Sequence, residues 1–153
     1  MAAGPAVGDT APEFELDSTQ GLVRLSEKLS HGAVLLVFYP GDGTPVCTNQ
    51  LCDYRDNLGV FSKLGVHVLA INSQPLSSHE NFAKAHELPF PLLSDPDRKT
   101  CKLYGASGLF GMTKRSLFLI RADGTVLYQQ TDVPIFRRTA AELELIISER
   151  LKR

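Results

Sequence analysis

The sequence predicts an α/β domain with a central mixed β-sheet flanked by helices, and three observations support this class. Two apolar runs of strand length, residues 33–39 and 66–71, are each followed by a segment of helical character. Strands that alternate with helices favour parallel pairing. Later in the chain, residues 116–121 and 125–129 flank Asp123-Gly124, a strong hairpin signal, so antiparallel strands are expected to join the same sheet.

The N-terminal half contains two further elements beside the apolar strands. Residues 14–24 alternate weakly around Gly21 and predict a short hairpin. Residues 46–63 carry apolar side chains at helical spacing. One helix is therefore expected there, closing near Gly65.

In the C-terminal half, capping signals predict where helices begin. Residues 77–80, with serine first and glutamate fourth, resemble a capping box that opens a helix running to about residue 86. A short extended piece at residues 92–93 and a short helix at residues 95–104 are expected next. Residues 139–142 form a second capping box, and the helix that it opens has one apolar stripe, made of Leu143, Ile146, Ile147 and Leu151.

The whole chain is predicted to be one domain, residues 1–153, with a thioredoxin-like fold. The order is strand, helix, strand, helix, then two hairpin strands and a helix. A chain of 153 residues is large enough to bury about two-thirds of the surface that its unfolded form exposes. No repeat, low-complexity tract or long linker divides it.

Charge and cysteine content narrow the classes of partner and compartment. The chain has 16 basic and 17 acidic residues, so its formal net charge of −1 gives no reason to expect nucleic acid or an anionic membrane as partner. No secretory signal is evident, and no apolar run approaches the roughly 20 residues that span a bilayer. An odd number of cysteines, 3, does not suit a disulfide framework. A reducing compartment, the cytoplasm, is expected.

The most informative segment is the turn-rich stretch that leads into Cys47. The apolar strand at residues 33–39 precedes it, and Pro45 suits the first turn of a helix, where its missing N–H costs nothing. Cys47 is therefore expected where unpaired backbone N–H groups and the positive end of the helix dipole converge. Such a position stabilises a thiolate, the reactive form of cysteine. Cys47 is predicted to be a redox or nucleophilic centre, just past the carboxyl end of a central strand.

Other cysteine and histidine chemistry has less support in the sequence. Cys47 and Cys52 lack the C-x₂-C spacing of a zinc pair, and no second pair completes four ligands, so neither a metal nor another cofactor is expected. The absence of C-x-x-C equally disfavours a thioredoxin-type disulfide reductase. The histidines are scattered without an evident base partner for Cys47, and His79 is expected to be a helix-start residue.

The motif around Cys47 also supports a family resemblance. Pro40-x-x-x-Thr44-x-x-Cys47 resembles the active-site signature of the peroxiredoxins, thiol peroxidases of the thioredoxin superfamily. Cys52, five residues after Cys47, together with Tyr54-Arg55-Asp56, is similar to the peroxiredoxin Q or bacterioferritin-comigratory branch. From about Gly8 to the last helix, further segments match in family order: Ser78-His79-x-x-Phe82, Pro89-Phe90-Pro91-Leu92-Leu93-Ser94-Asp95, Tyr104-Gly105, and Arg115–Ile120 followed by Asp123-Gly124.

This resemblance implies a thiol-dependent peroxidase that reduces hydrogen peroxide and organic hydroperoxides in antioxidant defence. Cys47 would be the peroxidatic cysteine, which forms a sulfenic acid. Thr44 would hydrogen bond to the reacting oxygen and sulfur, Arg115 would stabilise the thiolate and orient peroxide, and Pro40 would shield the thiolate from water. Cys52 would be the resolving cysteine, whose disulfide with Cys47 is reduced by thioredoxin or a similar dithiol.

Several points stay open at this level. The family usually has glutamate where this chain has Gln50, and that glutamate is thought to orient the arginine, so the anchoring of Arg115 is undecided. Cys101 is expected to be structural, with a role as resolver as the alternative. A redox-regulated binding or chaperone protein that uses Cys47 as a sensor, and a Cys-dependent hydrolase, are the alternative functions. A monomer or weak dimer is expected.

A disulfide between Cys47 and Cys52 would require motion. In one continuous helix over residues 46–63, Cα atoms five positions apart are about 8–9 Å from each other. A disulfide needs Cα atoms within about 7 Å. The first turns of this helix are therefore expected to unwind after Cys47 is oxidised.

Overall fold

A computed structural model describes residues 4–132 and 137–152, and the strands of these residues form one sheet of order β2-β1-β5-β4-β3-β6-β7. The strands are β1 (Glu15–Ser18), β2 (Gly21–Arg24), β3 (Ala33–Phe38), β4 (Val66–Asn72), β5 (Leu92–Ser94), β6 (Arg115–Ile120) and β7 (Val126–Asp132). The helices are α1 (Leu25–Leu29), α2 (Pro45–Asp56), α3 (Leu58–Lys63), α4 (Leu76–His86), α5 (Lys99–Leu103) and α6 (Ala140–Leu151).

The predicted mixed sheet is confirmed. β3 is an interior strand between β4 and β6, and every one of its side chains is buried, as expected for a continuous apolar run with both faces covered. It pairs in parallel with β4 and antiparallel with β6, while β4 pairs in parallel with β5. The hairpins β1–β2 and β6–β7 are both antiparallel, as the sequence predicts. Helix α1, which the sequence pattern did not predict, links β2 to β3.

The sheet separates two hydrophobic clusters. Successive side chains of a strand point to opposite faces, so Leu35 and Val37 lie in one cluster, and Val34, Leu36 and Phe38 lie in the other. We call the first the α2 face, because it contains the buried residues of α2, and the second the α5 face, because it contains the buried cysteine of α5.

The single helix predicted over residues 46–63 is wrong. The structure has two helices, α2 and α3, which are separated at Asn57. Asn57 has φ −115° and ψ 22°, and its side-chain amide donates to the Asp53 carbonyl oxygen at 2.9 Å. The Asn57 N–H also donates to the Asp53 carbonyl oxygen, at 3.1 Å, so the helical hydrogen bond reaches Asn57 and α2 ends there because the Asn57 backbone leaves the helical region.

Two other predicted helix starts are also corrected. The capping box at residues 77–80 does not form, because α4 begins at Leu76 after Pro75 and no side chain caps it. The helix expected from residue 95 begins only at Lys99, because Arg98 adopts the left-handed conformation (φ 61°). The Thr139 capping box is confirmed, with the Glu142 N–H donating to Thr139 Oγ1 at 3.1 Å.

Candidate active site around Cys47

Cys47 lies in the first turn of α2, directly after the loop of residues 40–44 that follows β3. Thr44 is the N-cap residue, with extended backbone (φ −72°, ψ 148°), and its Oγ1 accepts the Cys47 N–H at 3.2 Å. Pro45 occupies the first turn, as expected from its missing N–H. The predicted helix-start position of Cys47 is therefore confirmed, and its side chain is fully buried.

Arg115 brings a positive charge to the sulfur of Cys47. It is the first residue of β6, it is 2% exposed, and its Nη2 donates to Cys47 Sγ at 3.2 Å. The strand register explains the contact between Arg115 and Cys47, because Ser116 at the start of β6 pairs with Phe38 at the end of β3. The beginning of β6 therefore lies beside the carboxyl end of β3, which leads into the Cys47 loop. A guanidinium in contact with a buried sulfur favours its thiolate form.

Gln50 holds the same guanidinium. It is fully buried one turn after Cys47, and its amide oxygen accepts a bond from Arg115 Nη1. Its amide nitrogen donates to the Tyr54 hydroxyl at 3.1 Å, and that hydroxyl donates to the Arg138 carbonyl oxygen at 2.7 Å. The neutral amide oxygen of Gln50 therefore anchors the Arg115 guanidinium, at the position where the family usually has a glutamate.

A second network, around Asp42, was missed by the sequence reasoning. The Asp42 carboxylate accepts bonds from the Tyr39 hydroxyl, from the Ser78 hydroxyl at 2.7 Å and from His79 Nδ1 at 2.7 Å. Burial raises the pKa of the Asp42 carboxyl, but the hydrogen bonds from His79, Tyr39 and Ser78 outweigh it, so that the pKa is lowered. His79 lies in the first turn of α4, as the sequence predicts, and its side chain is 0% exposed.

The position of this network could have been inferred from the predicted topology. Asp42 follows β3 and His79 lies in the helix that follows β4, and these strands are parallel neighbours. The carboxyl ends of parallel neighbours meet at one edge of a sheet. The ring nitrogens of His79 bond to Asp42 and to the Leu93 carbonyl oxygen, so this imidazole is not placed as a base for Cys47.

The remaining two predicted site residues, Cys52 and Pro40, flank this arrangement. Cys52 lies in α2 with Cys47, is partly exposed, and has a free thiol. Because both cysteines belong to one helix, the separation of about 8–9 Å between their Cα atoms applies although the helix is shorter than predicted. Pro40 is half-buried at the beginning of the loop.

Cys101 lies on the opposite side of the sheet from Cys47. It is 1% exposed in the α5 face, whereas Cys47 belongs to the α2 face. Burial raises the pKa of the Cys101 thiol far above its usual range, and the neighbouring Asp95 carboxylate adds to the effect. This location favours the structural role expected for Cys101.

Over residues 4–132 and 137–152, no group of three or more His, Cys, Asp or Glu side chains is arranged to hold a metal ion. Within the same ranges, no helix combines the length and apolar character that crossing a bilayer requires.

The fold and the site together define a class of protein, the thiol-dependent redox enzymes with a thioredoxin-like fold. A sequence match to the AhpC/TSA family covers residues 7–129, and the chain belongs to this family. Its members named peroxiredoxins are thiol peroxidases, and this chain is accordingly a thiol-dependent peroxidase.

Individual relatives agree with this assignment. A Mycobacterium tuberculosis protein that carries the name peroxiredoxin is 40% identical over 134 residues, which are 82% of this chain and 85% of that protein. Chloroplastic peroxiredoxin Q of Oryza sativa subsp. japonica is 37% identical over 123 residues, 79% of this chain and 57% of that protein. The crystal structure of peroxidoxin BcpB from M. tuberculosis has a TM-score of 0.82 and 31% identity, and the match covers 95% of this chain and 96% of that one. The predicted peroxiredoxin Q or bacterioferritin-comigratory branch is confirmed.

Proposed function

We propose that Cys47 is the peroxidatic cysteine and that Arg115, Thr44 and Pro40 assist its attack on a peroxide. The observation that carries this proposal is the 3.2 Å bond from Arg115 Nη2 to Cys47 Sγ in the first turn of α2. This turn combines a fixed positive charge with the favourable end of a helix dipole. The hydroperoxide substrates are hydrogen peroxide and organic hydroperoxides.

The first chemical step is a displacement at oxygen. The Cys47 thiolate attacks one peroxide oxygen, an S–O bond forms, and the O–O bond breaks. The sulfur is oxidised to sulfenic acid, and the leaving oxygen takes a proton and departs as water or an alcohol. Arg115 orients the peroxide oxygens, the Thr44 hydroxyl bonds to the reacting oxygen, and Pro40 limits access of water.

The second step joins Cys47 to Cys52. The Cys52 thiolate attacks the sulfenic sulfur, an S–S bond forms, and the S–O bond breaks as hydroxide takes a proton and leaves as water. Because a disulfide cannot bridge Cα atoms about 8–9 Å apart, the first turns of α2 unwind before this step. A single helix of this length is marginal alone, so its local unfolding is accessible. Thioredoxin or a similar dithiol then reduces the disulfide.

The setting of the reaction follows from the same chemistry. A cycle that passes through free thiols suits a reducing compartment, and the cytoplasm is the compartment proposed. All the residues assigned to the cycle come from one chain, which fits a monomer or a weak dimer.

The test is mass spectrometry of the three cysteines after one equivalent of hydrogen peroxide. The expected product is a Cys47–Cys52 disulfide in the parent protein and a Cys47 sulfenic acid in Cys52→Ser. Cys101→Ser is the matched control and should form the disulfide normally. An intramolecular disulfide that forms at the normal rate in Cys52→Ser would assign the resolving role to Cys101 instead.

Turnover separates the peroxidase from the two alternatives. With thioredoxin and its reductase, a peroxidase consumes hydrogen peroxide continuously, whereas a redox sensor consumes one equivalent and stops. A Cys-dependent hydrolase reacts with acyl-type inhibitors and ignores peroxide. Sustained peroxide consumption is the expected result.

A further inference from the structure

The Asp42 side chain fixes the loop of residues 40–44 to two neighbouring elements. It is only 5% exposed, although the loop itself reaches the surface. Tyr39, directly after β3, donates to Oδ1, while Ser78 and His79 of α4 both bond to Oδ2. The loop is thus bonded both to the residue that links it to β3 and to the helix beside it.

His79 is equally constrained from its other side. Its Nε2 donates to the Leu93 carbonyl oxygen of β5 at 2.9 Å. Each ring nitrogen of His79 therefore has a protein partner, Asp42 on one side and Leu93 on the other. Asp42 and His79 form a buried pair whose side chains are held by several hydrogen bonds, and such a polar pair persists in a protein interior only when its groups are bonded in this way.

The backbone of the loop is held as well. The Asp42 N–H donates to the side-chain oxygen of Gln74, and Gln74 Nε2 donates to the Ser78 hydroxyl at 3.3 Å. A Cβ atom added at Gly41 would lie 3.1 Å from the Gln74 side-chain oxygen, so the loop already sits close against this partner. Two residues after Asp42 comes Thr44, whose Oγ1 accepts the Cys47 N–H.

We propose that Asp42 and His79 are positioning residues that hold Thr44 and the first turn of α2 ready for the attack of Cys47 on peroxide. The proposal rests on the proposed function of Cys47. The same loop precedes the turns that unwind before the disulfide forms. The anchoring of the loop by Asp42 and His79 therefore favours the first chemical step and opposes the second, so that weakening it affects the two steps in opposite directions.

The test measures the two steps separately in Asp42→Asn. Reduced protein reacts briefly with hydrogen peroxide, is quenched with acid and an alkylating reagent, and is analysed by mass spectrometry. Oxidation of Cys47 is expected to slow by between about tenfold and a hundredfold, the scale on which small misplacements of reacting groups act. Formation of the Cys47–Cys52 disulfide from the sulfenic acid is expected to be faster than in the parent protein, and slower formation would contradict the proposal.

Two milder variants keep the test decisive if Asp42→Asn does not fold. Ser78→Ala and Tyr39→Phe each remove one hydroxyl that donates to Asp42 and leave the Asp42–His79 hydrogen bond in place. Each should slow Cys47 oxidation by a smaller factor, without slowing disulfide formation.

Asp95→Asn is the matched control, because Asp95 is also fully buried but accepts the backbone N–H groups of Thr100 and Cys101. It should leave both steps at the parent rate. The positioning role of Asp42 and His79 would be overturned if Cys47 were oxidised at the parent rate in the folded Asp42, Ser78 and Tyr39 variants. It would also be overturned if Asp95→Asn slowed Cys47 oxidation as much as Asp42→Asn does. A parent protein in which peroxide does not oxidise Cys47 would instead overturn the proposed function itself.

Discussion

Cys47 and Cys101 are two buried cysteines on opposite faces of one sheet, and their surroundings differ in charge. Cys47 is 0% exposed and Cys101 is 1% exposed, so both sulfurs are removed from solvent. Cys47 Sγ accepts a bond from the Arg115 guanidinium, whereas Cys101 has the Asp95 carboxylate beside it and the Thr113 hydroxyl at 3.9 Å. The two sites share burial and differ in the sign of the nearest charge.

This difference in neighbouring charge shows that burial by itself does not decide whether a cysteine reacts. Removal from water disfavours a thiolate at both positions. At Cys47, a guanidinium and the start of a helix of 12 residues oppose this cost. At Cys101, the nearest charge is negative and adds to it. The predictions below test this contrast.

Replacement of Cys47 has the largest expected effect. Cys47→Ser should reduce peroxide consumption to the background of the assay, because a hydroxyl at this position is a far weaker nucleophile than a thiolate. The measurement is steady-state consumption of hydrogen peroxide with a dithiol reductant. Circular dichroism should show an unchanged fold, and turnover retained in this variant would contradict the assignment.

Replacement of Arg115 by lysine tests the guanidinium itself. The variant keeps the positive charge but loses the planar fork that contacts both Cys47 Sγ and Gln50. The rate of Cys47 oxidation should fall by about a hundredfold, the lower end of the effect of losing one well-placed donor.

Arg121→Lys is the matched control for this variant. Arg121 lies at the surface and bonds to the neighbouring Asp123, so its replacement should leave the rate unchanged. A rate and pH profile for Arg115→Lys identical to those of Arg121→Lys would show that Arg115 does not act on Cys47.

Alkylation sharpens the contrast between the two buried thiols. In the reduced protein, Cys101 should react with iodoacetamide more slowly than Cys47 at neutral pH, because burial beside Asp95 raises the pKa of the Cys101 thiol. Peptide mass spectrometry after timed quenching measures both rates. Equal labelling of the two cysteines would mean that their surroundings do not separate their reactivity.

The smallest expected effect is on stability at alkaline pH. Burial raises the pKa of the Cys101 thiol in the folded protein. The protonated thiol therefore contributes its full share of folding stability below about pH 8.5, the pKa of a thiol in the unfolded chain, and this contribution is lost as the pH rises above that value. The free energy of unfolding should therefore fall more steeply between about pH 8.5 and 9.5 in the parent than in Cys101→Ala, by up to about 1.4 kcal/mol per pH unit.

Urea titrations at several pH values measure this slope. Cys52→Ser serves as the control for the loss of one partly exposed thiol. Cys101→Ala should also keep parental peroxidase activity, although it is expected to lose about 1 kcal/mol of stability at neutral pH. A parallel slope in Cys101→Ala and the parent would show that Cys101 does not titrate with unfolding.

Elements defined by neighbouring residues were predictable from the sequence. The apolar run that became β3, the Asp123-Gly124 hairpin and the Thr139 capping box all depend on side chains within a few positions of one another. The position of Cys47 at a helix start belongs to the same group, since Pro45 and Thr44 act locally. The local pattern failed at the capping box predicted for residues 77–80, because the helix already begins at Leu76 and Ser77 lies inside its first turn.

The sequence by itself determined the strand, the loop and the helix start that carry Cys47, because short-range backbone preferences and apolar periodicity specify them. The tertiary structure alone decided the contacts between distant residues. Arg115 meets Cys47 across 68 positions, and His79 meets Asp42 across 37, only because β6 and β4 lie on either side of β3 in this register. The physical reason is that charge pairing depends on distance in space, and strand order sets that distance.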